Sequence, residues 1–175
     1  MSEKVENLRN IALVSHSGAG KTSLSEAMLY DSGTIKRFGR VEEGNTAMDF
    51  EPEELKRTSS ISSGFHQVEW KKHTINMIDT PGDQNFFSDT LSCQQAADGA
   101  LVVIDAIDGI KVQTEQAWEF AKNFQQPCMI LSINSIANEL TFPVPLKKPP
   151  KFLIPNQLYC SSPSVPKRIL KALSI

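Results

Sequence analysis

The sequence predicts an α/β fold with a mostly parallel sheet, and three observations carry that expectation. Apolar runs at 11–14, 74–78, 100–104 and 127–131 alternate with stretches of helical spacing, the pattern of strands joined by crossover helices. The run Ala100-Leu101-Val102-Val103-Ile104 shows no polar alternation, as suits a central strand covered on both faces. Two loops rich in small residues, 15–20 and 79–82, follow strand ends, where such sheets gather their ligand loops.

Each element has its own signal. Ile11-Ala12-Leu13-Val14 reads as the first strand, and Leu24, Ala27 and Met28 predict a helix from Lys21 that Asp31-Ser32-Gly33 stops. Residues 34–60 are polar and aperiodic, so a functional or disordered loop is expected there. Alternation through Ser63, Phe65, Gln67 and Glu69, broken at Trp70-Lys71-Lys72 and resumed toward Asp79, predicts a β-hairpin from about Ile61. Phe86, Phe87 and Leu91 predict a helix over 84–97. Ala117, Phe120, Ala121 and Phe124 mark a third helix, and Pro127-Cys128-Met129-Ile130-Leu131 a further strand.

Composition narrows the class. At 175 residues, 40% hydrophobic and 22% charged, the chain reads as one soluble globular domain with a real core. No apolar run approaches the roughly 20 residues of a membrane span, and MSEKVENLRN is no signal peptide, so a cytoplasmic location and no membrane partner are expected. Cys93, Cys128 and Cys160 match no metal or redox spacing and are expected as isolated thiols. His16, His66 and His73 do not cluster by spacing; the last two read as ordinary strand or turn residues, and His16 as serving the shape of its loop. Charge is uneven: residues 1–133 carry 12 Lys/Arg against 19 Asp/Glu, whereas 134–175 carry six against Glu139 alone.

The chemistry concentrates in NIALVSHSGAGKT, at 10–22. A strand runs into a loop small enough for successive backbone N–H groups to turn around an anion, and the following helix presents its positive end. Lys21 would reach the β/γ-phosphates and Thr22 would offer a hydroxyl to Mg²⁺. The strict G-x-x-x-x-G-K-[ST] pattern is missed at its first position, where Ser15 stands, and a plain Gly/Ser turn is the alternative. A second element, Asp79-Thr80-Pro81-Gly82, ends another strand: the acidic residue can hold Mg²⁺ through water, and the glycine lets a backbone N–H approach a γ-phosphate. Alone it could be an ordinary Pro-Gly turn, but together the two elements point to a nucleoside triphosphatase.

NIALVSHSGAGKT, MDFEPEELKRTSSI, IDTPGDQNF and GALVVIDAIDGIKVQTEQAW resemble, in order from about Leu8 to Met129, the G domain of translational GTPases, most closely elongation factor G and its G-like paralogues. The resemblance implies a P-loop GTPase three-layer fold, Mg²⁺ with GTP as ligands, GTP hydrolysis as chemistry, and the ribosome, through its rRNA, as partner. It implies nucleotide contacts at Ser15, His16, Ser17, Gly18, Ala19, Gly20, Lys21 and Thr22, and at Asp79, Thr80, Pro81, Gly82 and Asp83. Thr22, Ser60 and Asp79 would serve the metal, although Ser60 equally reads as one hydroxyl of a polar loop. Lys21 and Asp83 would be the catalytic pair. The family's D-T-P-G-H is DTPGD here, which puts Asp83 where a histidine helps position the attacking water. An aspartate can accept from that water but cannot offer positive charge to rRNA, which places ribosome-stimulated hydrolysis in question. Gly18 replaces an aspartate common in this family's loop, removing a potential ligand for a monovalent cation.

The guanine pocket of that family uses N-K-x-D, and the chain reads LSINSIANELTF there instead. Residues 134–175 hold seven of the ten prolines and are expected to be an unstructured basic tail following a partial G domain at 1–133. Reading 130–136 as ATT TTA TCA ATA AAC TCG ATC and restoring one T gives ATT TTT ATC AAT AAA CTC GAT, or IFINKLD; continued to 142 it gives IFINKLDRERADF. The chain is therefore expected to be truncated by a single-base frameshift near Ile130, genuine or a sequencing error. Coding DNA that cannot yield N-K-L-D in the neighbouring frame would refute this. Two competing expectations stand beside a GTPase: a non-enzymatic, nonfunctional or binding-only fragment without the guanine pocket, and, more weakly, an ATP-using P-loop kinase, against which D-T-P-G and the long 34–60 loop argue.

Overall fold

The computed structural model describes residues 5–49 and 51–133. The 134–175 tail, Cys160 and the part of the reading-frame junction beyond Ile133 lie outside the described residues. Five strands form one sheet in the order β2-β3-β1-β4-β5. They are β1 (Leu8–Val14), β2 (Gly64–Trp70), β3 (His73–Asp79), β4 (Gly99–Asp105) and β5 (Cys128–Ile133). β1 pairs in parallel with β3 and β4, and β4 with β5, while β2 is antiparallel to β3. The mostly parallel sheet and the hairpin are therefore as expected. The hairpin turns on Lys71 and Lys72, both at positive φ (49° and 70°), the geometry that follows the natural strand twist.

Alternate side chains of β1 supply two cores. Ile11 and Leu13 pack with Leu24, Met28 and Leu29 of α1 (Lys21–Asp31) on one face. Ala12 and Val14 pack on the other face with Ala117 and Trp118 of α4 (Val112–Asn123) and with Phe87 of α3 (Phe87–Ala96). β4 is buried at all of its residues, as its unbroken apolar run predicts.

Four expectations are corrected. The hairpin starts at Gly64, not near Ile61, because the Ile61 and Ser62 N–H groups donate to Glu54 Oε1 (2.8 and 2.9 Å) and are unavailable to a ladder. The helix expected over 84–97 opens with a 3-10 turn, Gln84–Phe86, and becomes α-helical only at Phe87. Phe124 lies past the end of α4, stacked on Phe120 and 59% exposed; Thr114 and Trp118 hold the buried positions instead. Of the two alternatives for 34–60, disorder is set aside for its described residues, which contain a 3-10 turn, Val41–Glu43, and helix α2 (Pro52–Arg57), opened by a capping box between Glu51 and Glu54.

Candidate functional site

β1 and β3 are neighbours with the same direction, so the loops leaving them emerge side by side. The loop after β1 closes on Gly20, whose φ of 86° is left-handed. A β-carbon there would displace only Ile133 Cδ1, the far end of a flexible side chain, so the left-handed φ is what calls for glycine. No side chain caps α1, which leaves its first N–H groups free to face an anion. Gly82 packs so tightly on this loop that a β-carbon would strike the His16 and Ser17 backbone and the Lys21 ammonium, and its carbonyl accepts from Ser17 N–H (3.0 Å).

Lys21 is buried, its Nζ donating to the carbonyls of His16 (2.9 Å) and Ser15 (3.3 Å). Burial lowers its pKa to about 8, against the pull of Asp79 and Asp49, so an arriving phosphate would meet a group eager for a counter-charge. Asp79 is buried with neither carboxylate oxygen hydrogen-bonded. Burial raises its pKa to about 7, opposed first by Lys21; the Thr22 hydroxyl also eases the charge, without the geometry of a hydrogen bond. A buried carboxylate with two orphan oxygens fits a cation.

Thr22 and Ser60, both expected at the metal, are brought together from distant parts of the chain: their hydroxyls lie 3.3 Å apart. Ser60 Oγ also donates to Asp49 Oδ1 (2.7 Å), a buried carboxylate whose pKa is raised by burial. Two hydroxyls and two carboxylates beside one lysine make an oxygen-rich corner suited to a hard divalent ion. A cleft of about 310 Å³ opens above it, bordered by Ser17, Lys21, Thr22, Asp49, Ser59 and Gly82 among others.

The family model of the elongation factor Tu GTP binding domain matches residues 6–138. The chain belongs to this family. Among curated relatives, "Ribosome-releasing factor 2, mitochondrial" of Yarrowia lipolytica is 41% identical over 70% of this chain and 15% of its own length. "Elongation factor G 2" of Borreliella afzelii is 39% identical over 69% of this chain and 18% of its own. A crystal structure of a Thermus thermophilus protein superposes with TM-score 0.70 at 38% identity, covering 73% of this chain and 19% of that one. The chain thus spans under a fifth of the length of each of these proteins.

Within this GTP-binding domain the expected site residues divide. Ser17, Gly18, Gly20, Lys21, Thr22, Ser60 and Gly82 border the cleft. Ser15, His16 and Ala19 are buried behind it: the Ser15 hydroxyl and His16 Nδ1 both bond Thr114 Oγ1 (3.2 and 2.9 Å), anchoring the loop to α4. Thr80 turns inward, its hydroxyl on the Leu13 carbonyl (2.6 Å), and the Pro81 carbonyl accepts from Thr90 (2.7 Å), so both shape the turn. Asp83 does not border the cleft; Oδ1 accepts from the backbone and side-chain amides of Asn85, each at 2.8 Å. Asp49, Glu26 and Glu54 escaped the sequence reading. The only available signal for Asp49 was its place in MDFEPEELKRTSSI, a stretch already tied to the resemblance. His66 and His73 make carbonyl contacts in their strands, to Ala47 and Lys71, as expected of ordinary residues. Cys93 and Cys128 are free thiols, and among the described residues no helix is long and apolar enough to cross a membrane.

Proposed function

We propose that this chain binds Mg·GTP through the β1–α1 loop and hydrolyses it, as the GTPase part of an elongation factor G-like protein acting on the ribosome. The observation that carries the reading is the Thr22–Ser60 hydroxyl pair, 3.3 Å apart, beside the orphan carboxylate of Asp79. Thr22, Ser60, Asp79 and Asp49 would hold the ion, which when bound neutralises charge on the phosphate oxygens. Backbone N–H groups of the loop and the Lys21 ammonium would grip the phosphates, and Lys21 would stabilise charge developing on the transferred group. Catalysis is positioning plus electrostatics, with in-line attack by water and no covalent enzyme intermediate. The ribosome is proposed because the names of relatives, ribosome-releasing factor 2 and elongation factor G 2, speak of ribosomes and elongation. Those names include mitochondrial proteins, and imaging a tagged chain decides between that compartment and the cytoplasm expected from sequence.

Titration with a fluorescent GTP analogue tests the reading. Lys21→Ala is expected to lower affinity by at least about a hundredfold, from loss of a charge-assisted contact in a buried site. Undiminished affinity would sink the assignment. A second reading, binding led by the phosphates without guanine selectivity, is favoured by Ile133, an apolar residue that borders the cleft at the end of β5 in a chain lacking N-K-x-D. Equal affinities for GTP and ATP support it, and a strong GTP preference refutes it.

A further inference from the structure

Hydrolysis needs something to hold the attacking water, and Asp83 is turned away on Asn85. Several hydroxyls border the cleft, and those of Ser17 and Ser59 are among the ones outside the Thr22–Ser60 pair. Ser17 Oγ and Ser59 Oγ lie 3.2 Å apart and join the phosphate loop to the 34–63 segment. They form a rung beside the Thr22–Ser60 pair, since Ser59 immediately precedes Ser60. Ser17 is the loop residue whose N–H meets the Gly82 carbonyl, and a β-carbon on Gly82 would fall 2.6 Å from Lys21 Nζ, which places that ammonium beside the same turn. The Ser17–Ser59 rung therefore stands at the end of the cradle where a terminal phosphate would arrive.

We propose that the Ser17 and Ser59 hydroxyls together position the attacking water, in place of the Asp83 carboxylate. The inference rests on the hydrolysis reading above. Each hydroxyl carries one donor and two acceptor sites, so the pair can accept from the water while remaining bonded to each other, and orient its lone pair toward the phosphorus. The water oxygen forms a new bond to the terminal phosphorus as the bond to the bridging oxygen breaks. The electron pair leaves with the nucleoside diphosphate. One water proton ends on the released phosphate and the other enters solvent. Neither serine is consumed or ionised, so both act as positioning residues.

The test uses the full 175-residue chain. Affinity for a fluorescent GTP analogue and the single-turnover hydrolysis rate are measured for the unaltered chain and for Ser17→Ala, Ser59→Ala, the double alanine variant, the double threonine variant and Asp83→Asn. Each single alanine should slow the chemical step by about tenfold while leaving affinity within about twofold, the signature of an interaction used only in the transition state. The double variant should lose much less than the product of the two, because the hydroxyls work as a unit. The double threonine variant, which keeps both hydroxyls, should recover most of the rate, and Asp83→Asn should lose less than either alanine. Wild-type rates in the double alanine variant, an equal loss in Asp83→Asn, or affinity falling in step with rate would each overturn the proposal. Binding without hydrolysis by the unaltered chain would overturn it too, leaving nucleotide binding intact; no binding at all would overturn the proposed function with it.

Discussion

The phosphate loop and the 34–63 segment face each other across one cleft but are held by different means. The loop is fixed at its root by β1 and by backbone contacts: Ser17 N–H to the Gly82 carbonyl, Leu24 N–H to the Gly20 carbonyl, Thr80 N–H to the Leu13 carbonyl. The segment is fixed by side chains reaching from helices. Glu26 of α1, 1% exposed, accepts from Gly39 N–H (3.3 Å) and Ala47 N–H. Glu54 of α2, 2% exposed, gathers the N–H groups of Glu51, Ile61 and Ser62. Met48, with Ile35 and Ala47, ties the segment to the core, and the buried carboxylates satisfy backbone donors that no ladder serves. The loop's geometry is thus a property of the sheet, whereas the segment's depends on a few individual side chains.

Removing one such carboxylate should break the segment and spare the loop. Glu54→Ala strips three N–H groups of a charged acceptor and is expected to cost about 3 kcal/mol of local order. Trypsin cleavage at Lys56 and Arg57 should accelerate while amide exchange in β1 and β3 stays unchanged. Equal loosening of both regions would show that they unfold as one and would erase the contrast. The reciprocal change is Gly82→Ala, whose β-carbon must displace the backbone of His16 and Ser17. Overpacking of this kind costs about 2 kcal/mol. A urea titration should register that loss, while protection at Gly39 and Ala47 persists.

The same contrast explains what the sequence could reveal. Strands and the phosphate loop announce themselves locally, through the apolar runs of β1 and β4 and the spacing of Gly20-Lys21-Thr22. Asp79 was legible because it ends a strand and precedes Pro81-Gly82. The 34–60 segment was not, since the order in it comes from Glu26 meeting residues up to 21 positions away, and from Glu54 taking donors that a hairpin would otherwise use. A single glutamate in an otherwise ordinary helix carries no local mark of that task. Asp83 shows how local such contacts are: its side chain caps the Gln84–Phe86 turn by accepting from Asn85 N–H, a donor two residues away. α4 was mis-phased at Phe124 because periodicity finds a helix more reliably than its last turn.

A milder probe of the segment is Glu26→Gln, which keeps the size but leaves only one oxygen to serve two donors. A loss of about 1.5 kcal/mol is expected, read as roughly tenfold faster amide exchange at Gly39 and Ala47. The α1 core should hold, since Leu24, Met28 and Leu29 are buried independently of that carboxylate. If exchange in α1 itself rises equally, the segment is part of the core and not an attachment to it.

The smallest expected effect lies behind the phosphate loop, where side chains do intrude on a backbone-held region. His16 is buried, its Nδ1 2.9 Å from Thr114 Oγ1 and its Nε2 without a partner. Burial, then the positive charges of Lys111 and Lys21, lower its pKa from 6.5 to about 4, against the smaller pull of Asp108 and Asp105. Because the folded value lies below the unfolded one, the unfolded chain takes up a proton first as pH falls. The neutral ring's contribution is whole above pH 6.5 and is lost progressively down to about pH 4. Between pH 6.5 and 5.5 this amounts to about 1 kcal/mol. His16→Asn, which cannot titrate, should flatten the stability profile by that amount relative to the unaltered chain in paired urea titrations. An unchanged slope would mean that water reaches the ring and that the loop's rear anchor is solvated, leaving the backbone contacts alone to hold the cradle.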